Sequence, residues 1–465
     1  MSDDEEMIDL SQMTTQSGTY KNSYESQDTA EHQPEPEPWG KLKVYKVERK
    51  RLGMAVWVPK ELKLVGTCDL VKERTTIGRK GDLNVCGLIN DTRDNIPNDR
   101  LKEISSIHFS ITKEDVNDQY CPVIIEDLST NGTFVNQEKN NIELQKCENF
   151  QRIDEKIKRR ILGHKDSIFI QKHPTICFEF LLLQSIAQVF PETIQNDIFK
   201  DYHIGRELGS GAYGKVYFVQ NRITCQPFAL KYTTNNGNEN KITDLLKEVY
   251  ILGQLKHPCI LPLHTVKTYV ESVVIFIEYM EGGDLYNRIK SKTYLSEPLT
   301  KFILYQILCG VEYMHEQHVT HRDIKPENIL LATIDDYTSV KVSDFGLSKR
   351  VTSSNGILST QCGTLRYQAP EVRRANYTNK VDIWSLGVIL YLCLSGQFPP
   401  HLKDELNFNE KWDDISYEAK NIVRETLKCD PKERPSAKEL LTSRSWFSKE
   451  DEMVIKAHKT MNEKN

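Results

Sequence analysis

Hydrophobic positions divide the chain into four textures. Residues 1–38 are rich in Ser, Thr, Gln, Asp and Glu, with few apolar side chains, and cannot bury enough surface to offset the entropy of ordering. The segment closes on Pro34, Pro36 and Pro38 alternating with glutamates, which predicts a stiff, extended spacer. From Trp39 to about Leu183 the apolar residues come in short runs split by turn residues: Met54 to Val58, Val123 to Glu126, Thr133 to Asn136, Ile168 to Ile170. Asn131 and Gly132 between two such runs predict a hairpin, and the lack of long helical periodicity predicts an all-β sandwich over 39–185. After a linker at 186–201, β-type runs (Tyr202 to Leu208, Lys215 to Val219, Phe228 to Tyr232) give way to helical spacing at Asp244 to Leu255 and Lys301 to Glu316. Sheet first and helices after predict a bilobal α+β domain over 202–448. The charged tail at 449–465 is expected to fray.

Composition narrows the setting. The 465 residues carry a net charge of −5, so no global positive field draws the chain to nucleic acid or to anionic membrane, and neither is expected as a direct partner. The eleven cysteines are scattered and form no C-x-x-C pair, which argues against a zinc ribbon or redox motif and for core thiols in a reducing compartment. The acidic N-terminus is unlike a secretory leader, and the richest apolar run, Phe178 to Leu183, is strand-sized. The expectation is a soluble intracellular protein.

Five signals then occur in order. Gly209, Gly211 and Gly214 form a G-x-G-x-x-G between two strand-like runs; glycines let backbone close over phosphates, and a following strand, not a helix, argues against a dinucleotide-binding turn. Lys231 in the third run would hold nucleotide phosphates and pair with a helix glutamate, for which Glu248 is the choice. In the run from His321 through Arg322 to Asn328, Asp323 would take the proton of a substrate hydroxyl and Asn328 would hold a metal ion. Asp344, before Phe345 and Gly346, supplies a second hard oxygen ligand, a set that suits Mg²⁺ with ATP. Glu371 closes the segment, with Arg434 as its expected ion-pair partner.

These residues resemble the eukaryotic protein kinase superfamily over about Tyr202 to Phe447. The resemblance implies a catalytic set of Asp323, Lys325, Lys231, Glu248, Asn328 and Asp344. It implies a nucleotide pocket of Leu208, Gly209, Gly211, Gly214, Val216, Ala229, Lys231, Leu330 and the hinge from Glu278 to Met280, with Ile277 as gatekeeper. Lys325 and Thr364 imply serine/threonine specificity. A pseudokinase would have lost Lys231, Asp323, Asn328 or Asp344, and none is lost. Arg322 implies activation by a loop phosphate at Ser359, Thr360 or Thr364. Asp284 and Glu327 imply protein substrates with an arginine upstream of the acceptor, unless both are ordinary surface charges. Between Gly396 and Trp412 the chain is shorter than the family pattern, with the helix usual there deleted or reduced.

In the β region, Gly78 and Arg79, then Ser105, Ser106 and His108, then Asn131 and Gly132 supply a guanidinium, hydroxyls and amides at turn-like places. Their order resembles the forkhead-associated domain. This implies phosphothreonine peptides as ligands, Arg79, Ser105 and Ser106 at the phosphate and Asn131 on the peptide backbone. His108 more readily orients a loop than titrates. Many members carry lysine where this chain has Ser106.

In the N-terminal segment Ser11, Thr15 and Ser26 each precede a glutamine. Ser/Thr-Gln is the target of DNA-damage sensor kinases, although a polar tail can be Ser/Gln-rich by chance. The whole order resembles the checkpoint kinase 2 family. It implies sensor phosphorylation of Thr15, capture by the forkhead-associated domain of a second copy, a transient homodimer, and mutual phosphorylation at Thr360 and Thr364. A nuclear location, alone or with the cytoplasm, is implied by the resemblance only; the basic clusters at 49–51 and 158–160 look like solvated surface. Two alternatives stay open: an adaptor whose main task is phosphothreonine binding, and a meiotic in place of a DNA-damage setting.

Overall fold

The computed structural model describes residues 38–463 except 53–55, 85–103, 116–117, 119, 137–150, 154–155, 171–175, 183–189, 212–213, 236–238, 351–357, 359–361, 375–376, 401–405, 407, 409 and 444. Ser11, Thr15, Ser26, Ser359 and Thr360 thus lie outside the described residues.

Two sheets form the sandwich. The first strands are β1 (Gly40–Leu52), β2 (Val56–Leu70), β3 (Arg74–Gly78), β4 (Leu83–Asn84) and β5 (Phe109–Thr112). They are followed by β6 (Val123–Asp127), β7 (Phe134–Asn136), β8 (Gln151–Arg152), β9 (Arg159–Leu162), β10 (Ser167–Phe169) and β11 (Ile176–Leu182). One sheet runs β2-β1-β11-β10-β7-β8 and the other β4-β3-β5-β6-β9. Alternation along the strands turns Leu42, Val44, Ile111, Ile125, Phe178 and Phe180 into a shared core, where the Phe109 and Phe178 rings meet edge to face at 5.4 Å. Asn131 and Gly132 do not make the expected hairpin. β6 and β7 belong to different sheets, and the chain between them crosses over. The Asp127 carboxylate organises that crossing by accepting from Ser129 N (3.1 Å), Thr133 N (3.1 Å) and Thr133 Oγ1 (2.9 Å). The basic cluster at 158–160 is also not wholly surface, because Arg160 points inward from β9 and is buried.

The linker carries a helix, α1 (Glu192–Ile198). Next come β12 (Tyr202–Gly211), β13 (Gly214–Asn221) and β14 (Pro227–Thr234), the helix α2 (Glu239–Gln254), and β15 (Leu263–Thr268) and β16 (Ser272–Glu278). The sheet order is β12-β13-β14-β16-β15, antiparallel throughout. Phe228 and Leu230 of β14 face outward and are covered by Phe190, Ile194 and Ile198, so the linker helix is part of the small lobe's own core.

The large lobe holds α3 (Leu285–Lys292), α4 (Glu297–Glu316), α5 (Lys380–Ser395), α6 (Tyr417–Thr426), α7 (Ala437–Ser443) and α8 (Glu452–Asn462). It also holds the short ribbons β17 (Val319–Thr320) with β20 (Lys349–Arg350) and β18 (Ile329–Leu331) with β19 (Val340–Val342). Val381 to Ser395 of α5 are all buried, as expected of a helix apolar on every face. Among the described residues no helix lies between Ser395 and Glu410. The tail does not fray as expected. Asp451 caps α8 by accepting from Met453 N (2.9 Å), and Val454, Ala457 and Met461, at helical spacing, are buried.

Candidate active site and phosphopeptide site

The cleft between the lobes is built by strand alternation. On β14, Ala229 and Lys231 face opposite to Phe228 and Leu230, into a cavity of ≈580 Å³. Leu208, Gly209, Gly211, Gly214 and Val216 line it from above, Ile277, Glu278 and Met280 from the connecting strand, and Leu330 and Asp344 from below. A Cβ at Gly209 or Gly211 would meet open space, so the glycines leave the mouth of the cleft uncrowded. Leu245 of α2 packs on Val273 and Ile275, and Glu248, one turn on, therefore points at Lys231. Lys231 Nζ lies 3.5 Å from Glu248 Oε1 and 3.6 Å from Asp344 Oδ1. Burial pushes the Glu248 carboxyl up against the pull of the Lys231 ammonium.

Below the cleft, the loop at 321–328 is held by a carboxylate far away in sequence. Asp382, fully buried at the start of α5, accepts from His321 N (3.0 Å), Arg322 N (2.9 Å) and His315 Nε2 (2.9 Å). This fixes Arg322 at φ 70°, a conformation costly to a non-glycine residue. The next residue, Asp323, accepts from Lys325 Nζ, Thr364 N and Thr364 Oγ1, each at 2.8 Å. Lys325 Nζ also donates to Thr364 Oγ1 at 2.9 Å. Burial alone would raise Asp323, but these hydrogen bonds and the lysine charge hold its carboxyl below the usual range. The loop therefore presents an ionised carboxylate beside a cation. Among the described residues, the Arg322 guanidinium hydrogen-bonds to neutral groups, the Leu347 carbonyl and the Tyr377 hydroxyl. Glu371 and Arg434 form a buried two-point pair at 2.6 and 2.8 Å.

The residues present fit a divalent metal. Asp344 Oδ1 is buried and accepts no hydrogen bond, the Lys231 ammonium at 3.6 Å standing beyond hydrogen-bonding distance, which leaves the oxygen open to a metal ion. Asn328 spends its amide nitrogen on the Asp323 carbonyl (2.8 Å), which leaves the amide oxygen as its ligand atom. Both are hard oxygen donors.

At the end of the sandwich, Arg79 N donates to Ser105 O (3.1 Å) and Lys80 N to Ser106 O (2.8 Å), so the two loops run side by side. A Cβ on Gly78 would lie 2.6 Å from Ser106 O, and only glycine permits this approach. His108 joins the third loop. Its Nδ1 accepts from Ser105 N (3.2 Å), so Nε2 carries the proton and donates to Gly132 O (3.4 Å). Burial pulls its pKa down, and the ring stays neutral. Arg79, Ser106 and Asn131 are exposed on this rim, with Ser105 half-buried.

Asp382 and Asp127 were missed in the sequence. The loop partners of Asp382 lie 60 and 61 residues away, an Asp at the head of an apolar helix being its one signal, whereas Asp127 bonds Ser129 and Thr133 nearby in the chain.

The protein kinase domain family matches residues 202–447, and the FHA domain family, the forkhead-associated domain, matches 75–170. The ovarian-specific serine/threonine-protein kinase Lok of Drosophila melanogaster is 36% identical over 91% of this chain and 89% of its own length. The probable serine/threonine-protein kinase fhkD of Dictyostelium discoideum is 31% identical over 70% of this chain and 46% of its own. CBL-interacting protein kinase 26 of Oryza sativa subsp. japonica is 36% identical over 54% of this chain and 53% of its own. The first match runs through both domains and the third corresponds in extent to about the kinase half. With an intact phosphate-facing cleft behind a phosphothreonine-reading sandwich, the chain belongs to the protein kinase family, as a serine/threonine kinase of the checkpoint kinase 2 type that uses ATP and a divalent metal.

Proposed function

We propose that this kinase works in a checkpoint, switched on when phosphothreonine brings two copies together. Asp323 orients the acceptor hydroxyl and takes its proton, Lys325 stabilises charge beside it, and Lys231, held by Glu248, grips the nucleotide phosphates. Asn328 and Asp344 hold Mg²⁺, which when bound neutralises phosphate charge. The observation that supports the catalytic part of this reading is the Asp323–Lys325–Thr364 cluster, with every contact at 2.8 to 2.9 Å; the checkpoint part rests on the resemblance of the whole domain order. Asp284 and Glu327 line the cleft mouth and support a preference for arginine upstream of the acceptor, although Asp284 also caps α3 through Asn287 N (2.8 Å).

Activation by phosphate at Thr360 is supported by Arg322, whose hydrogen-bond partners among the described residues are neutral. A sensor kinase acting on Thr15, with Ser11 and Ser26 as further sites, would create the ligand for Arg79, Ser105, Ser106 and Asn131 in a second copy, in the nucleus. The Drosophila relative is described as ovarian-specific, and the meiotic setting stays open beside the DNA-damage one for the same chemistry.

The test is an ATP–Mg²⁺ assay with phosphosite mapping on full-length wild type, Asp323→Ala and Arg79→Ala. Wild type phosphorylates Thr360 or Thr364, Asp323→Ala loses at least ~10³-fold in rate, and Arg79→Ala is slowed when Thr15 is phosphorylated. Activation indifferent to Arg79→Ala leaves a kinase whose sandwich only recruits partners. An inactive wild type favours the adaptor reading.

A further inference from the structure

One buried charge cluster belongs to neither site. Arg222 lies in the turn between β13 and β14, where a side chain ordinarily stands in water, yet it is 5% exposed. Its guanidinium crosses to the sandwich and pairs with Asp166, 3% exposed, in the turn before β10. Nε donates to Ile161 O of β9 (3.2 Å), and Nη1 reaches Phe199 O and Lys200 O at the end of α1 (3.4 Å each). The backbones join as well: Ile161 N donates to Arg222 O (2.9 Å), and Arg222 N donates to Asp201 O (2.8 Å). From the far side Gly163 N donates to Asp166 Oδ2 (2.9 Å). A Cβ on Gly163 would sit 2.7 Å from the guanidinium carbon, so the arginine itself leaves room there only for glycine.

Two features separate this from two domains merely touching. A charge taken out of water is costly unless its hydrogen bonds are replaced, and here the guanidinium finds one carboxylate and three carbonyls. Second, β9 is the outer strand of its sheet, and the Arg222 turn pairs with its open edge, which would otherwise be free to recruit another chain. A further contact lies alongside, where His203 Nε2 at the start of β12 meets Tyr120 O of the sandwich at 2.9 Å.

We propose that this surface is a built docking interface, in which Arg222 keys the edge of the forkhead-associated sandwich onto the kinase small lobe of the same chain. The sandwich is then carried at a fixed orientation and does not trail on a tether. β9 pairs with β6, and β6 ends at Asp127, which organises the loop bearing Asn131. The docked edge and the phosphothreonine loops are thus built into one sheet, so the direction in which a bound phosphopeptide lies relative to the kinase is set.

The experiment uses the full-length protein, wild type beside Arg222→Glu and the milder Arg222→Gln and Asp166→Asn, read by hydrogen exchange and solution X-ray scattering. In wild type the Ile161 amide exchanges at least ~10-fold more slowly than an open edge strand, and scattering fits one compact particle. Arg222→Glu removes that protection and enlarges the particle. Rate on a short peptide substrate stays at the wild-type level, since Arg222 touches nothing in the cleft. The milder pair give the same losses to a smaller degree should Arg222→Glu fail to fold. Unprotected Ile161 in wild type, or scattering unchanged by all three substitutions, would overturn the proposal.

Discussion

Asp382 accepts three hydrogen bonds, two of which hold the backbone on which Asp323 stands, the third coming from the His315 side chain of α4. Burial would raise its carboxyl, but the His315 bond and the neighbouring histidines hold it low. A folded-state pKa below the unfolded value of about 3.9 means that Asp382 contributes stability above that pH and loses it as pH falls through the folded value. Asp382→Asn should therefore cost about 3–5 kcal/mol at neutral pH and flatten the acid limb of the stability curve. An unchanged acid limb, measured by denaturant unfolding from pH 3 to pH 7, would refute this. His108 is the counterpart in the sandwich. It ties the Ser105 loop to the Gly132 loop through two hydrogen bonds worth about 0.5–1.5 kcal/mol each. His108→Ala should weaken phosphothreonine-peptide binding about 10-fold, seen by calorimetry, with the kinase rate on peptide unaffected. The depressed histidine also sets a sign: as pH falls below the unfolded value of about 6.5, the unfolded chain takes up a proton that the folded ring refuses, and the sandwich loses stability.

At the scale of elements, α8 differs most from expectation. It lies beyond the residues that match the kinase family, yet it packs on α4, with Lys301 Nζ 2.6 Å from Asp451 Oδ2. Its last buried residue, Met461, sets its sulfur 3.1 Å from that of Cys259. Cys259 O in turn accepts from Val342 N (2.8 Å), two residues before Asp344. The helix therefore braces the strand that leads to Asp344. Met461→Ala should cost about 2 kcal/mol and lower the melting temperature. If residues 452–462 exchange their amides as fast as a free peptide, the helix is not docked in solution. The linker helix α1 follows the same logic, because Phe190, Ile194 and Ile198 cover an outer face of β14 that would otherwise meet water.

For the whole molecule, the two sites are built on separate sheets and cores, so their chemistry separates by mutation. Asp323→Ala should leave the affinity for a phosphothreonine peptide within about twofold of wild type. Arg79→Ala should abolish that binding while sparing the rate on an unphosphorylated peptide. What joins the sites is the interface at Arg222 and Asp166.

The residues proposed to face nucleotide and to accept the proton stand out in the chain because each lies in a short run whose neighbours shape it: glycines around a turn, Asp323 five residues before Asn328, Asp344 before a glycine. Strand and helix periodicity likewise gave the sandwich and the two lobes, since burying one face demands it. The crossing at Asn131 and Gly132 was read as a hairpin because an Asn-Gly pair fits both, and only the sheet order distinguishes them. The sequence by itself therefore determined the chemistry and the two domain folds. Tertiary structure alone decided which distant charge holds each loop: Asp382 under Arg322 and Asp166 against Arg222. The reason is physical. A buried charge is stable only opposite a complementary group, and where the chain brings that group is a property of packing that local spacing does not encode.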